Sequence, residues 1–290
     1  MEHRDKNYIL FPENIGSHLS IDETEISQGE LYTVLTNKSG KGKNGTLVAM
    51  IKGTKGDHVS AVINQISVYQ RRKVKEVTCD LAHNMQNIIK GCFPKANIVI
   101  DRFHVQKLAL EAVQEVRIKY RWLILEQENN EIQLAREQNQ RYKAEILANG
   151  DTHKQLLARS RHILFKTKSN WTPTQFFRAE ILFAKYPEIE QAYELSQELR
   201  KVYQNSKSKG VAFTKLAQWY NKVEIAGFKS FNTIAQTIQN HYLQILNYFD
   251  QRSTNASAES FNAKIKSLRN QFRGIKNMDF FLFRLSKIYG

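Results

Sequence analysis

Five short β-rich segments, with helical patterns between the later ones, restrict this chain to a mixed α/β sheet. The first three segments follow one another directly, whereas the last two alternate with helical spacing of apolar residues. Strands joined by turns pair antiparallel, and strands joined through helices lie parallel. The sequence therefore predicts three antiparallel strands followed by two parallel ones, at residues 19–22, 31–36, 46–51, 74–79 and 97–101.

The middle of the chain has a different pattern. Residues 126–248 show no convincing strand, and apolar residues recur there at helical spacing. We interpret this region as a large all-α insertion that precedes the last helix of the α/β fold. The predicted organisation is thus an α/β domain of residues 1–125 and 249–290, interrupted by an all-α subdomain of residues 126–248.

Charge indicates the class of partner. The 290 residues include 43 Lys and Arg against 28 Asp and Glu, a formal net charge of +15. Such a field favours polyanions, chiefly nucleic acid, although a basic ribosome-associated or simply soluble surface is the alternative. The two cysteines, Cys79 and Cys92, fit no zinc site, and no apolar run reaches the roughly 18 residues of a membrane span. We expect no membrane partner and a cytoplasmic protein, associated with the nucleoid when DNA is bound.

Three acidic residues form a candidate metal site. Asp22 and Asp80 end the first and fourth predicted strands, which would be neighbours, and Glu259 opens a basic helix. Carboxylates suit Mg²⁺, and two such ions about 3.5–4 Å apart can activate a nucleophile against a phosphodiester. Each acid also has an ordinary structural explanation, because Asp is common in turns and caps and Glu favours the first turn of a helix.

Basic residues come soon after Glu259 in the chain. Residues 260–290 carry seven Lys and Arg against one Asp. Phosphate contact is a natural role for such a segment, and Lys266 shares a helix face with Glu259. A solvated helix face is the alternative for about half of the set. The predicted DNA-binding residues are Lys264, Lys266, Arg269, Arg273 and Lys276.

Three blocks of the sequence resemble ISL-type insertion-sequence transposases. Residues 20–24 resemble the first acidic strand of that family, residues 77–105 its central block, and residues 253–281 its final acidic helix with the segment after that helix. The most specific parts are Asp-Arg-Phe-His at residues 101–104 and Glu-Ser-Phe-Asn at residues 259–262. The resemblance covers nearly the whole chain.

The resemblance implies an Asp-Asp-Glu transposase with a ribonuclease-H-like catalytic domain, which the predicted strand order also matches. It implies double-stranded DNA as substrate and two Mg²⁺ (or Mn²⁺) ions as cofactor. Asp22 would be the first acid and Glu259 the last. We assign the second position to Asp80, whose strand would lie beside the first. Asp101 and His104 then resemble the accessory Asp-x-x-His pair of related groups, although a buried, satisfied histidine is the alternative for His104.

One departure from the family pattern concerns the N-terminus. Relatives usually carry a zinc-binding and helix-turn-helix region, whereas here the first acid is already Asp22. We therefore expect a separate N-terminal DNA-binding partner, or a truncated product, and a homo-oligomer on DNA. Two alternative functions stay open, a structure-specific DNA nuclease on the same fold and a catalytically decayed DNA-binding module.

Overall fold

A mixed β-sheet organises the part of the chain that this computed structural model describes, which is residues 7–27, 29–272 and 277–290. Across those residues the sheet has six strands in the order β1-β4-β3-β2-β5-β6. Strands β1 to β4 pair antiparallel, whereas β5 lies parallel to both β2 and β6. The strands are β1 (Tyr8–Leu10), β2 (His18–Ser27), β3 (Glu30–Asn37), β4 (Leu47–Lys52), β5 (Glu76–Cys79) and β6 (Asn97–Ile100).

The predicted mixed α/β class is confirmed, with two differences in the strands. β1 is an additional edge strand that pairs with β4 and that the sequence pattern did not predict. β2 continues to Ser27, so Asp22 lies inside this strand and its predicted position at the strand end is wrong. The extension pairs only with β3, where Glu23 faces Thr33 and Glu25 faces Leu31.

Helices follow or connect the strands throughout the described residues. Short 3₁₀ turns occur at Pro12–Asn14, Lys38–Gly40, Ile163–Phe165 and Lys168–Asn170. The helices are α1 (Gly56–Ile63), α2 (Val68–Arg71), α3 (His83–Cys92), α4 (Arg102–Glu137), α5 (His153–Arg159), α6 (Pro173–Lys185), α7 (Pro187–Asn205), α8 (Lys209–Ala226), α9 (Lys229–Asn240), α10 (Tyr242–Leu246), α11 (Tyr248–Gln251), α12 (Ala256–Gln271) and α13 (Met278–Tyr289). None of these helices combines the length and the apolar character needed to cross a bilayer.

The two faces of the sheet are covered by different helices. On one face, Leu19 and Val77 belong to a core that also contains buried residues of α1 and α3. On the other face, Val34 belongs to a core with Phe261 of α12 and Phe281 of α13. Alternation along each strand separates these two sets of side chains. Polar residues of β2 and β5 on the second face therefore point to the side on which α12 packs.

Contacts divide the chain into two compact units. One comprises Met1–His104 and His241–Gly290, and the other comprises Val105–Asn240. The second unit is helical wherever it has regular structure. The boundary that we predicted after residue 125 falls within α4, which runs without a break from Arg102 to Glu137. Every strand found among the described residues belongs to the first unit, as do Asp22, Asp80, Asp101, His104 and Glu259.

Candidate metal and nucleic-acid site

Three aspartates form a row across neighbouring parallel strands. In the parallel register Ser20 pairs with Thr78, and Cys79 pairs with Ile100. Continuing the same register sets Asp22 beside Asp80 and Asp80 beside Asp101. A hydrogen bond from the Asp101 amide to the Cys79 carbonyl, 2.9 Å long, carries the register past the end of β6. The parallel strands thus present three carboxylates along one edge.

Asp22 is the most perturbed of these acids. One carboxylate oxygen, Oδ1, accepts from the Glu23 amide at 2.9 Å, and the other, Oδ2, accepts from Asn262 Nδ2 at 2.8 Å. Burial raises the pKa of Asp22 to about 6, and the nearby charges of Asp80 and Glu259 push in the same direction. A half-buried carboxylate next to two others is a site where a bound cation would be favourable.

Asp80 lies immediately beyond β5. Its Oδ1 accepts a hydrogen bond from the Ala82 amide at 2.9 Å, so this carboxylate closes the turn that leads into α3. The structural role that we considered for Asp80 is therefore present. Asp80 also contributes to the raised pKa of Asp22 and of its neighbour Glu23, which places its charge within the same cluster.

Asp101 and His104 form a contact across the junction between β6 and α4. Asp101 is 2% exposed and accepts from the amides of Asn255 and Phe103, and its Oδ2 lies 3.4 Å from His104 Nδ1. Burial alone would raise the pKa of Asp101, but His104 and the two amides outweigh it and hold that pKa below its ordinary value. In turn, Asp101 raises the pKa of His104.

Glu259 reaches this cluster from α12. Its side chain is exposed in the first turn of the helix. Within the described ranges, one group of three potential metal ligands has all its ligand atoms within 4.8 Å of one another, and it consists of Asp101, His104 and Glu259. Asp22 and Asp80 are outside this group. Glu259 thus lies within ligand distance of the predicted accessory pair, Asp101 and His104. The three predicted ligands Asp22, Asp80 and Glu259 do not form such a close group.

The donor set suits a divalent cation. Four carboxylates supply hard oxygen ligands of the kind that Mg²⁺ prefers, and one imidazole nearby also suits Mn²⁺. On the same face of the sheet lies Asn262 Oδ1, a buried oxygen that accepts no hydrogen bond from the described residues. An oxygen of this kind can accept a hydrogen bond from water, including water bound to a cation.

The predicted DNA-binding residues fall into three groups. Lys266 is exposed on α12. Lys264 Nζ donates to the Gly42 carbonyl at 2.8 Å, and the Arg269 guanidinium lies 5.5 Å from the centre of the Phe281 ring, so both also hold α12 in place. Arg273 and Lys276 lie outside the described residues.

Comparison with known proteins identifies the family. A family model for ISL3-type proteins, described as Transposase, matches residues 19–285, a span that includes all three aspartates and Glu259. The chain belongs to the ISL3 transposase family. The resemblance that we drew from sequence blocks is thereby confirmed.

A curated relative of this ISL3-family chain is the transposase for insertion sequence element IS1001 of Bordetella parapertussis. The two are 23% identical over 272 residues, which is 92% of this chain. The chain spans about 60% of the length of that relative. No solved structure matches the chain.

Two features of this ISL3-family site escaped the sequence reasoning. Asn262 belongs to the buried stripe of α12, between Phe261 and Ile265. A polar residue in an otherwise apolar stripe indicates a buried polar contact, so the sequence pattern could have identified it. The second feature is a buried ion pair in which Lys38 Nζ lies 3.2 Å from Glu76 Oε1 and also donates to Thr78 Oγ1. Burial lowers the pKa of Lys38. No local pattern predicts this pair.

Proposed function

We propose that this chain is the catalytic part of a DNA transposase. It would hydrolyse a phosphodiester at each element end, which gives a 3′-hydroxyl. That hydroxyl would then attack a phosphodiester of target DNA, so that a new bond joins the element 3′ end to the target phosphate and the 3′-hydroxyl of the target strand leaves. The observation that carries the proposal is the row of Asp22, Asp80 and Asp101 beside Glu259 at one edge of the sheet. Membership of the ISL3 transposase family supports it.

The roles proposed for the acids rest on the strand order and on the family resemblance. Asp22, Asp80 and Glu259 are proposed to hold two Mg²⁺ (or Mn²⁺) ions, which would activate the attacking hydroxyl and stabilise the leaving oxygen. Asp101 and His104 are proposed to brace the site, since Asp101 ties the amide of Asn255, at the start of α12, to the end of β6. The strand order supports a ribonuclease-H-like catalytic domain as the scaffold.

Basic residues of α12 are proposed to hold the DNA backbone. Lys266 lies two turns after Glu259 on the same face of the helix, and both side chains are exposed. An ammonium group there can pair with the phosphate next to the acids. A separate DNA-binding partner and a homo-oligomer on DNA stay predictions.

The test is cleavage and joining of DNA by the purified chain. A duplex that contains an element end should be nicked or joined only with Mg²⁺ or Mn²⁺. Asp22→Asn and Glu259→Gln should each lower the rate at least about 100-fold, since each removes a carboxylate from the site of charge development. The matched control is Asp57→Asn, an exposed aspartate at the start of α1, which should leave the rate unchanged.

The second acid is tested by a pair of variants. Asp80→Asn should lose activity to the same extent as Asp22→Asn. Asp101→Asn should retain part of its activity, because it keeps an oxygen that can accept the Asn255 amide. Full activity in Asp80→Asn together with loss in Asp101→Asn would show that Asp101 is the second ligand and that our assignment is wrong.

The same experiment separates the alternative functions. Cleaved ends without any joined product would favour a structure-specific nuclease. Salt-sensitive binding without cleavage, whichever divalent ion is added, would favour a decayed DNA-binding module and would contradict the proposed enzyme.

A further inference from the structure

Asn262 contacts the most perturbed acid of the site. Its Nδ2 donates to Asp22 Oδ2 at 2.8 Å, and its side chain is 7% exposed. The Glu23 amide donates to the other oxygen of Asp22 at 2.9 Å. Two donors from different directions fix the plane of the Asp22 carboxylate, and each oxygen keeps a lone pair for a further partner.

The position of Asn262 follows from the packing of α12. Ala258, Phe261, Asn262 and Ile265 form the buried stripe of the helix, and α12 packs against β2. Because Phe261 and Ile265 are both 0% exposed, the helix cannot rotate without exposing apolar surface. Asn262 is one turn beyond Glu259, so the contact with Asp22 also sets where Glu259 stands relative to β2.

The orientation of the Asn262 amide is determined by chemistry. With the amide reversed, its oxygen would face a carboxylate oxygen, which is repulsive. In the observed orientation Asn262 Oδ1 is buried and has no hydrogen-bond partner. A buried carbonyl oxygen left without any donor costs about 1–3 kcal/mol, so a water molecule is the natural donor to Oδ1.

We propose that Asn262 is a positioning residue of the metal site. It fixes the Asp22 carboxylate, couples α12 to β2, and offers Oδ1 to a water molecule bound to the cation. This inference rests on the proposed function, because it needs a divalent ion beside Asp22. Outer partners that orient a ligand of this kind change metal affinity about 10–100-fold when they are removed.

A purely structural role for Asn262 gives a different expectation. If Asn262 served only to stabilise the packing of α12, its replacement would lower the melting temperature but would leave the metal affinity of the folded protein unchanged. Mn²⁺ affinity, measured on folded protein well below the melting temperature, therefore distinguishes positioning from structural support.

The experiment is a Mn²⁺ titration followed by electron paramagnetic resonance, with folding checked by circular dichroism. Asn262→Ala should weaken Mn²⁺ binding about 10-fold or more. Asn262→Leu keeps the branched shape and the number of heavy atoms of the side chain and should weaken binding equally, and it serves if the alanine variant does not fold. The matched control is Asn270→Ala, an exposed asparagine of the same helix, which should bind as wild type does.

Two failures are distinguishable in this titration. If wild-type protein binds no Mn²⁺, the proposed function itself fails. If wild type binds Mn²⁺ and a folded Asn262→Leu variant binds it equally well, the metal site stands and the positioning role of Asn262 is overturned.

Discussion

Asp22 is the residue whose surroundings most affect the behaviour of the site. Its pKa is raised to about 6 by burial and then by Asp80 and Glu259. A raised carboxyl pKa means that the folded state favours the protonated form, so the stabilising effect is complete below the unfolded value and is lost as the pH rises through 6. In metal-free protein at pH 8, the ionised Asp22 is therefore a local source of instability.

Replacing Asp22 should relieve this instability. We expect Asp22→Asn to stabilise metal-free protein at pH 8 by about 1–2 kcal/mol, less than the full electrostatic value because water screens a partly buried group. The gain should disappear below about pH 4, where the wild-type carboxyl is protonated as well. Urea denaturation in the presence of EDTA at both pH values measures the difference. An equal gain at pH 8 and pH 4 would show that the electrostatic cause is wrong.

Candidate residues were easier to name from the sequence than their environments. Strand-end and helix-start positions indicated Asp22, Asp80 and Glu259, and the family resemblance added Asp101 and His104. The structure places all five in one unit. The sequence did not show that Asp22 lies within a strand, because Glu23 and Glu25 look like turn residues when their exposure is unknown. It also missed Asn262, whose partner is 240 positions away in the chain.

Helix α12 is the element on which the site depends, because it carries both Glu259 and Asn262. Apolar side chains anchor this helix to the sheet. Phe261 is fully buried and packs against Tyr289 with ring centroids 4.9 Å apart. The polar groups of the site are therefore held in place by Phe261, which directly precedes Asn262 and lies two residues after Glu259.

Truncating that anchor should destabilise the whole first unit. We expect Phe261→Ala to lower the free energy of unfolding by about 3–5 kcal/mol, since it removes a buried ring and leaves a cavity. Phe283→Ala, on the exposed side of α13, is the matched control and should cost less than about 1 kcal/mol. Urea denaturation measures both. A similar cost for both variants would contradict the anchoring role of Phe261.

Strand order was predictable, whereas element boundaries were not. The change from consecutive strands to strand–helix alternation was enough to place β2 beside β5. β1 was missed because three residues of intermediate burial carry no period. The apolar spacing of residues 57–70 indicates one helix, whereas the structure has α1 and α2 there, because Ser67 caps a second helix by accepting from the Gln70 amide.

At the scale of the whole molecule, the net charge is the property that bears most directly on the proposed binding of DNA. The net charge of +15 predicts binding that weakens steeply with salt. If α12 contacts phosphate, Lys266→Ala should reduce the slope of log affinity against log salt by about 0.9. Fluorescence anisotropy with a duplex at several salt concentrations measures this slope.

The control for the salt dependence of Lys266→Ala is a lysine-to-alanine substitution at a different place on the first unit. Lys95 is exposed in the loop before β6, at the opposite end of the parallel strands from the acids. Lys95→Ala removes the same charge and should leave the slope close to that of wild type. Equal reductions in both variants would indicate a diffuse electrostatic effect and would rule out a specific contact at α12.

The separation of 240 positions between Asp22 and Asn262 has a consequence for synthesis in the cell. A ribosome adds about 5–20 residues per second, so the strand that carries Asp22 emerges roughly 12–48 s before its partner on α12. Until then the sheet lacks the helix that covers its second face. A nascent chain therefore has no complete set of acids until α12 has been synthesised, and the proposed cleavage of DNA would have to wait for that helix.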